Sequence, residues 1–567
     1  MTARAHPAEG GGVPPVRTVA PGRNYGALAP ALVAAAIALV PIAVVIGIAL
    51  SGDGSDWPHL VRNVLPQATG ATLLLLVLVA AGTASIGVTS AWMVVAYDFP
   101  FRKVLAWVLV LPLAVPPYLA AYAFAEFLHF SGPVQSAFRA LTGHVTPRDY
   151  WFPEIRSTYG AAIVLSMVLY PYVYLTSRVV FIMQGRHIGD AARTLGAAPL
   201  KVLWAVLLPV ARPAIVAGVA LVLMETLNDI GASKYLGVPT LTYSVYTTWL
   251  NRGSLEGAAQ IAVLMLIIVF AVLMMEKWAR RQQRFHVGRG SQMNARPPRV
   301  KLTGARAALA TLATAAPVFC GFGIPLYVFG DYASRRLYQL TEPDLLDALV
   351  NSVIVATSAA LITVFVALLL IHAARLDKSR PVAAVTRLAM IGYALPGTVL
   401  GLGLLFTLAF IDNSIDAWMR DMFGVSTGLI FTGSAAAVVL VCSIRFLALA
   451  EGAVRGGIEK LPPHIDEAAR CLGRSPTRSA TTVLLPLLRP AVFTAAVLVF
   501  VDTVKELSAT ILLRPFGFNT LATSVFEDAS RGVPEDGAMA ALAIIATAVI
   551  PVVLLSGALT RDRDANL

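Results

Sequence analysis

Residues 190–213, DAARTLGAAPLKVLWAVLLPVARP, return 277 positions later as residues 467–490, EAARCLGRSPTRSATTVLLPLLRP. No gap is needed to align them, and 12 of the 24 positions are identical. Each copy is basic, follows an apolar run and leads into another that begins at its last proline, Pro213 or Pro490. A long apolar chain that repeats a polar segment in this way is a membrane protein of two like halves. Composition agrees. Of 567 residues 57% are hydrophobic and 13% are charged, about half the charged fraction of a soluble chain.

Twelve apolar runs are each near the roughly 20 residues a bilayer requires. The first half supplies 27–50, 68–97, 104–124, 161–183, 213–230 and 258–275, and the second 307–329, 349–371, 388–410, 429–449, 490–513 and 539–559. The expected organisation is a disordered tail (1–26), a six-helix half (27–275), a polar, basic linker (276–306), a second six-helix half (307–559) and a short tail (560–567). The run at 27–50 is longer than the apolar core of a cleaved signal, so it is expected to stay as a helix. With the N-terminus placed in the cytoplasm, the cytoplasmic segments hold 30 Lys and Arg, the outer loops 11, and Arg178, Arg445 and Lys505 lie inside apolar runs. This is the positive-inside bias. It places both termini and both repeated segments in the cytoplasm, and it reads the net charge of +12 as sorting by membrane side, not as a nucleic-acid surface. An even number of spans per half makes the halves parallel repeats about an axis along the membrane normal. Arg178, which aligns with Arg455, is expected to snorkel from the cytoplasmic end of its helix.

The repeated segment has its own local physics. Residues 467–472 form helix, Gly473 suits the C′ position, and Ser475-Pro476 is an N-cap followed by proline at the first helical position. The first copy shares Gly196 and Pro199 but lacks the serine cap. A helix–turn–helix at the membrane face follows, with a small-residue side that another protein can approach. The bland alternative is an amphipathic helix that merely connects two spans, which duplication with this identity disfavours.

An acidic residue, Ala-Ala, three residues, Gly and a downstream Leu-Pro resemble the EAA loop of ABC importer permeases. The matching positions are Asp190, Ala191, Ala192, Gly196 and Pro209, then Glu467, Ala468, Ala469, Gly473 and Pro486. Asp190 stands where the family usually has Glu. The resemblance implies an all-α polytopic fold of the type I importer kind, in a bacterial inner membrane. It implies that the two loops are coupling helices, which dock on two cytoplasmic ATPase subunits, and that a periplasmic binding protein delivers the substrate. Residues 225–231, ETLNDIG, align with 502–508, DTVKELS, and Thr240-Leu241 with Thr520-Leu521. With both halves in one chain, this resembles the ferric-iron-type permeases; thiamine and aminoethylphosphonate relatives share the layout.

Glu225 and Asp229 are spaced i, i+4, as are Asp502 and Glu506, which would place each pair on one helical face. They lie 12–16 residues past Pro213 or Pro490, roughly 18–24 Å along the helix. Carboxylates at that depth face a cavity or a partner. One reading is a translocation path lined with hard oxygen donors for a hard cation; the other is an inter-helix network, since Lys505 is close enough to neutralise Asp502. No GxxxxGK[ST] phosphate loop occurs, so ATP and Mg are expected on a separate subunit, with no cofactor in this chain and no enzymatic activity of its own. No His, Cys and carboxylate spacing suggests a metal centre. An ion-coupled secondary transporter using the same carboxylates is the alternative of another class, and it gives no reason for a duplicated EAA loop.

Overall fold

A computed structural model of the chain describes residues 25–184, 199–281 and 299–564, apart from 53, 55, 56, 378, 463 and 474. Residues 1–24 of the expected tail (1–26) and the first EAA loop, with Asp190, Ala191, Ala192 and Gly196, lie outside the described residues. The first half contains α1 (Tyr25–Ser51), α2 (Leu65–Ala96), α3 (Arg102–Val108), α4 (Pro117–Phe127), α5 (Thr158–Gln184), α6 (Leu208–Asn228), α7 (Gly231–Tyr235), α8 (Leu241–Leu250) and α9 (Leu255–Arg281). The second contains α10 (Gly304–Val318), α11 (Ile324–Ser334), α12 (Pro343–Leu376), α13 (Arg380–Ala389), α14 (Gly397–Phe423), α15 (Ala436–Ile458), α16 (Ile465–Cys471), α17 (Leu485–Val504), α18 (Thr510–Leu513), α19 (Leu521–Ser530) and α20 (Ala538–Asp564).

Among the described residues ten helices are long and apolar enough to span a membrane, and the chain is an all-α polytopic membrane protein of two repeats. The other two expected runs look different. The run at 104–124 is a bent pair, Arg102–Ala114 and Pro117–Phe127, turned by 97°. The last contributes a shorter apolar stretch, Ala538–Pro551. Prolines explain the bend. Val115, before Pro116, is extended at ψ 114°, and Leu395, before Pro396, at ψ 136°; the proline ring disfavours helical geometry in the residue ahead of it. The ninth span therefore starts at Gly397, not at 388.

The helices after the repeated segments also begin earlier than Pro213 and Pro490, which sit inside α6 and α17. Each is entered through a π turn, Leu203–Leu207 or Ala480–Leu484. Two more π turns, Leu60–Val64 and Phe319–Gly323, lead into α2 and α11. In all four a proline (Pro66, Pro209, Pro325 or Pro486) stands two residues past the turn. A helical proline cannot donate to the carbonyl four residues back and clashes with it. That carbonyl lies at the centre of each π turn, where the wider ring makes room.

The halves are contiguous in sequence but exchange their first helices. α1 packs on α12, α13 and α14 of the second half and on α9 of the first. Ala31, Ala34, Ala35 and Ala38 of α1 belong to the apolar core of the second half. The helices α10 and α11 lie against α2, α3, α4 and α20, and Ile324, Val328 and Phe329 join residues of α4 and α5 in an apolar core that both halves share. The crossings are close. A methyl group on Gly403 would sit 2.3 Å from the Pro41 carbonyl oxygen, and one on Gly321 would sit 2.1 Å from that of Met167. α9 runs to Arg281, beyond the expected span, and Val300–Lys301 pairs in parallel with Tyr97–Asp98. The end of the linker is thus tied to the first half, 2.9 Å separating Leu302 N from the Asp98 carbonyl.

Candidate functional site: a charged cavity between the halves

α6 and α17 end within one residue of equivalent points. Asp229 is extended at ψ 115° and closes α6; Lys505 closes α17. The expected i, i+4 faces therefore do not form, because Asp229 and Glu506 lie past the helix ends. Each carboxylate instead holds the next short helix. Asp229 Oδ2 accepts from Ala232 N at 2.8 Å and from Ser233 N at 3.3 Å, and Glu506 Oε1 accepts from Ala509 N at 2.7 Å. Backbone donors at a helix start suit an acidic acceptor.

All four acidic residues nevertheless line one cavity of about 690 Å³ of atom-free space where the halves meet. Three groups that sequence reasoning left without a role join them: Arg445 from α15, and Tyr172 and Tyr393. The signal for Arg445 was present, since a lone arginine in an apolar run needs a partner. Its Nη1 lies 2.7 Å from Glu506 Oε1, with both side chains buried. Lys505 Nζ is 2.7 Å from Asp502 Oδ1. Glu225 is half-buried and, among the described residues, makes no ion pair or hydrogen bond. Four carboxyl groups thus face two cationic side chains in the lining of the cavity.

Asn228 sews the seam. Its Oδ1 accepts from Gly397 N, at the start of α14, at 2.6 Å, and its carbonyl accepts from Ser508 Oγ at 2.5 Å. Both donors belong to the second half. Tyr118 is buried in the cavity wall, and its hydroxyl has no hydrogen-bond partner. Among the described residues no three His, Cys, Asp or Glu side chains are placed to share a metal ion.

The second repeated segment adopts the expected turn. α16 ends at Cys471, Gly473 has φ 80°, and Ser475 Oγ accepts from Arg478 N at 3.3 Å. The small-residue face is narrower than expected, because Ala469 is buried and Ala468 is exposed. One turn on, Leu472 is 84% exposed. Pro209 and Pro486 fall at the π turns described above. Arg178 does not snorkel freely: its Nη1 donates to the Ala106 carbonyl at 3.2 Å.

Two like bundles that meet at a charged cavity, with a helix–turn–helix projecting from one face, define a solute permease. The chain belongs to the family of binding-protein-dependent transport system inner membrane components, which matches it twice, over residues 83–282 and 370–561. It is the permease of an ABC importer. It is 24% identical to the Fe(3+)-transport system permease protein FbpB 2 of Haemophilus influenzae over 501 residues, covering 88% of this chain and 90% of that one. Other relatives match one half. The molybdenum transport system permease protein ModB of Escherichia coli is 26% identical over 36% of this chain and 88% of its own. The sulfate transport system permease protein CysT of Salmonella typhimurium is 27% identical over 39% and 76%.

Proposed function

We propose that this permease imports ferric iron handed over by a soluble binding protein, with ATP and Mg²⁺ acting on separate ATPase subunits. The observation that carries the reading is the carboxylate excess in the cavity between the halves. Hard oxygen donors suit a hard cation, and a lining with four carboxyl groups against two cationic side chains is a poor match for an oxyanion such as molybdate or sulfate. The similarity of both halves together to an Fe(3+) permease supports the same choice. Glu225, without a cation of its own, is the group that meets the ion. Asp229 and Glu506 fix the helix breaks around it, and Asp502 shares its charge with Lys505. The absence of a three-ligand cluster among the described residues suits a path, where ions must leave as readily as they enter.

Coupling runs through the EAA loops, Asp190, Ala191, Ala192 and Gly196 in one copy and Glu467, Ala468, Ala469 and Gly473 in the other, each loop meeting one ATPase subunit. In the second copy exposed Ala468 and Leu472 offer a small, apolar contact. The left-handed Gly473 turn sets the angle to α17, so ATPase movement is passed to the helix that ends at the cavity.

The test is uptake of radioactive iron by proteoliposomes containing the permease, its ATPase and the iron-loaded binding protein. Iron accumulation that requires ATP supports the reading. Uptake of molybdate, sulfate or thiamine in its place would refute it. Gly473→Glu should separate ATP hydrolysis from uptake while leaving the protein in the membrane; undiminished uptake would rule out this coupling route.

A further inference from the structure

The face of the second half opposite α16 carries another cavity, bounded by the start of α12 and by α19 and α20, with about 1150 Å³ of atom-free space. Its wall is acidic. Glu527 is answered by Arg514, Asp528 by Arg531 at 2.5 Å, and Asp536 by Arg336 at 3.1 Å. Glu342, Asp344 and Asp347 are exposed and, among the described residues, make no ion pair or side-chain hydrogen bond. A helix start favours acidic residues by its dipole, and that alone would explain these three. It does not explain Gln339. This residue is 7% exposed, lines the same cavity, and its Oε1 has no hydrogen-bond partner. A buried amide oxygen requires a donor, and three unpaired carboxylates beside it favour one that carries a positive charge. One group meets both needs, an ammonium or guanidinium. No three acidic side chains among the described residues are close enough to share a metal ion.

The equivalent corner of the first half lacks the three free carboxylates. At an offset of 280 residues Arg62 stands where Glu342 does, Gln67 replaces Asp347 and Thr248 replaces Asp528. Arg252 lies there too, 2.7 Å from His59. In the sequence Asp53, Asp56 and Glu256 balance Arg62, Lys234 and Arg252, so the face is polarised, acidic over the second half and near neutral over the first.

We infer that the acidic cavity is a docking point for a lysine or arginine side chain of the soluble binding protein, and that the polarised face seats that protein in one orientation, its basic patch on the second half. This rests on the importer reading, in which a binding protein must meet the face opposite the ATPase. Complementary charge at such a rim acts mainly on the association rate, and salt weakens it.

The experiment measures association of the binding protein with the complete permease–ATPase complex in nanodiscs at two salt concentrations. For Asp344→Lys with Asp347→Lys the low-salt association rate should fall about ten-fold or more. Its salt dependence should shrink, and a Lys→Glu change in the basic patch of the binding protein should restore the rate. The neutral set Glu342→Gln, Asp344→Asn and Asp347→Asn should show a smaller loss of the same kind, which guards against a folding defect. Rates equal to the wild type in both variants overturn the inference. So does a calorimetric Mn²⁺ or Ca²⁺ isotherm that these variants abolish while binding-protein association is unchanged, since the site would then serve a free cation. If the wild-type complex binds no such protein at all, the importer reading itself falls, a result distinguishable from the others.

Discussion

Glu225 and Asp229 in the first half and Asp502 and Glu506 in the second occupy the same positions, yet their surroundings differ. In the second half every carboxylate has a cation: Lys505 for Asp502 and Arg445 for Glu506. At the equivalent places the first half has Asn228 and Val168. Neither can neutralise, so among the described residues Glu225 has no direct ion pair and feels Arg445 and Lys505 at longer range, while Asp229 is held by backbone N–H groups. Asn228, where a lysine would have paired, instead reaches across to Gly397 and Ser508. Duplication preserved the helix break and released one side from its charge balance. One acidic pair became structure, and the other became the surplus charge of the cavity.

Altering that imbalance tests it. The largest effect is expected for Arg445→Met, which leaves Glu506 buried without its cation. Such a loss costs about 3–5 kcal/mol, visible as a marked fall in thermal unfolding temperature. Replacing Glu506 by Leu as well should recover most of the stability. A single variant as stable as the wild type would show the pair to be dispensable. Asn228→Lys copies the second-half pattern into the first. It removes the acceptor for Gly397 N–H, worth about 1–3 kcal/mol, and supplies Glu225 with a counter-ion, so uptake should fall with the charge excess. Unaltered uptake would argue against charge as the selecting feature. Glu225→Gln breaks no hydrogen bond or ion pair among the described residues, so unfolding should shift by less than in Arg445→Met, while uptake drops at least several-fold. A collapse in stability would place Glu225 in a network. The smallest change is expected for Asp229→Asn, which keeps an oxygen for Ala232 N–H; both stability and uptake should stay nearer the wild type than in Glu225→Gln.

The repeat, the apolar runs and the four acidic positions were legible in the sequence because each depends on local pattern. Helix ends were not. A count of apolar residues takes no notice of the clash behind Pro209 or Pro486, or of the extended residue forced ahead of Pro116 and Pro396. The i, i+4 inference failed for the same reason: α6 ends at Asn228, so helical spacing no longer applies to Asp229. The pairing of Arg445 with Glu506 joins residues 61 positions apart, and the contact between Asn228 and Gly397 joins different halves. Such contacts depend on how the helices pack, which no local window contains.

The exchanged first helices have a consequence in time. α1 is synthesised and inserted first, but its partners α12, α13 and α14 begin nearly 300 residues later. At about 5–20 residues per second, ribosomes need roughly 15–60 s to supply them. For that interval α1 waits in lipid with its alanine face unmatched, while the first half lacks the α10 and α11 that complete it. Neither bundle can mature as its own translation ends. Assembly of both is deferred to the last part of synthesis, and a ribosome that stops within the linker leaves a first half whose opening helix can reach α9 but none of its partners in the second half.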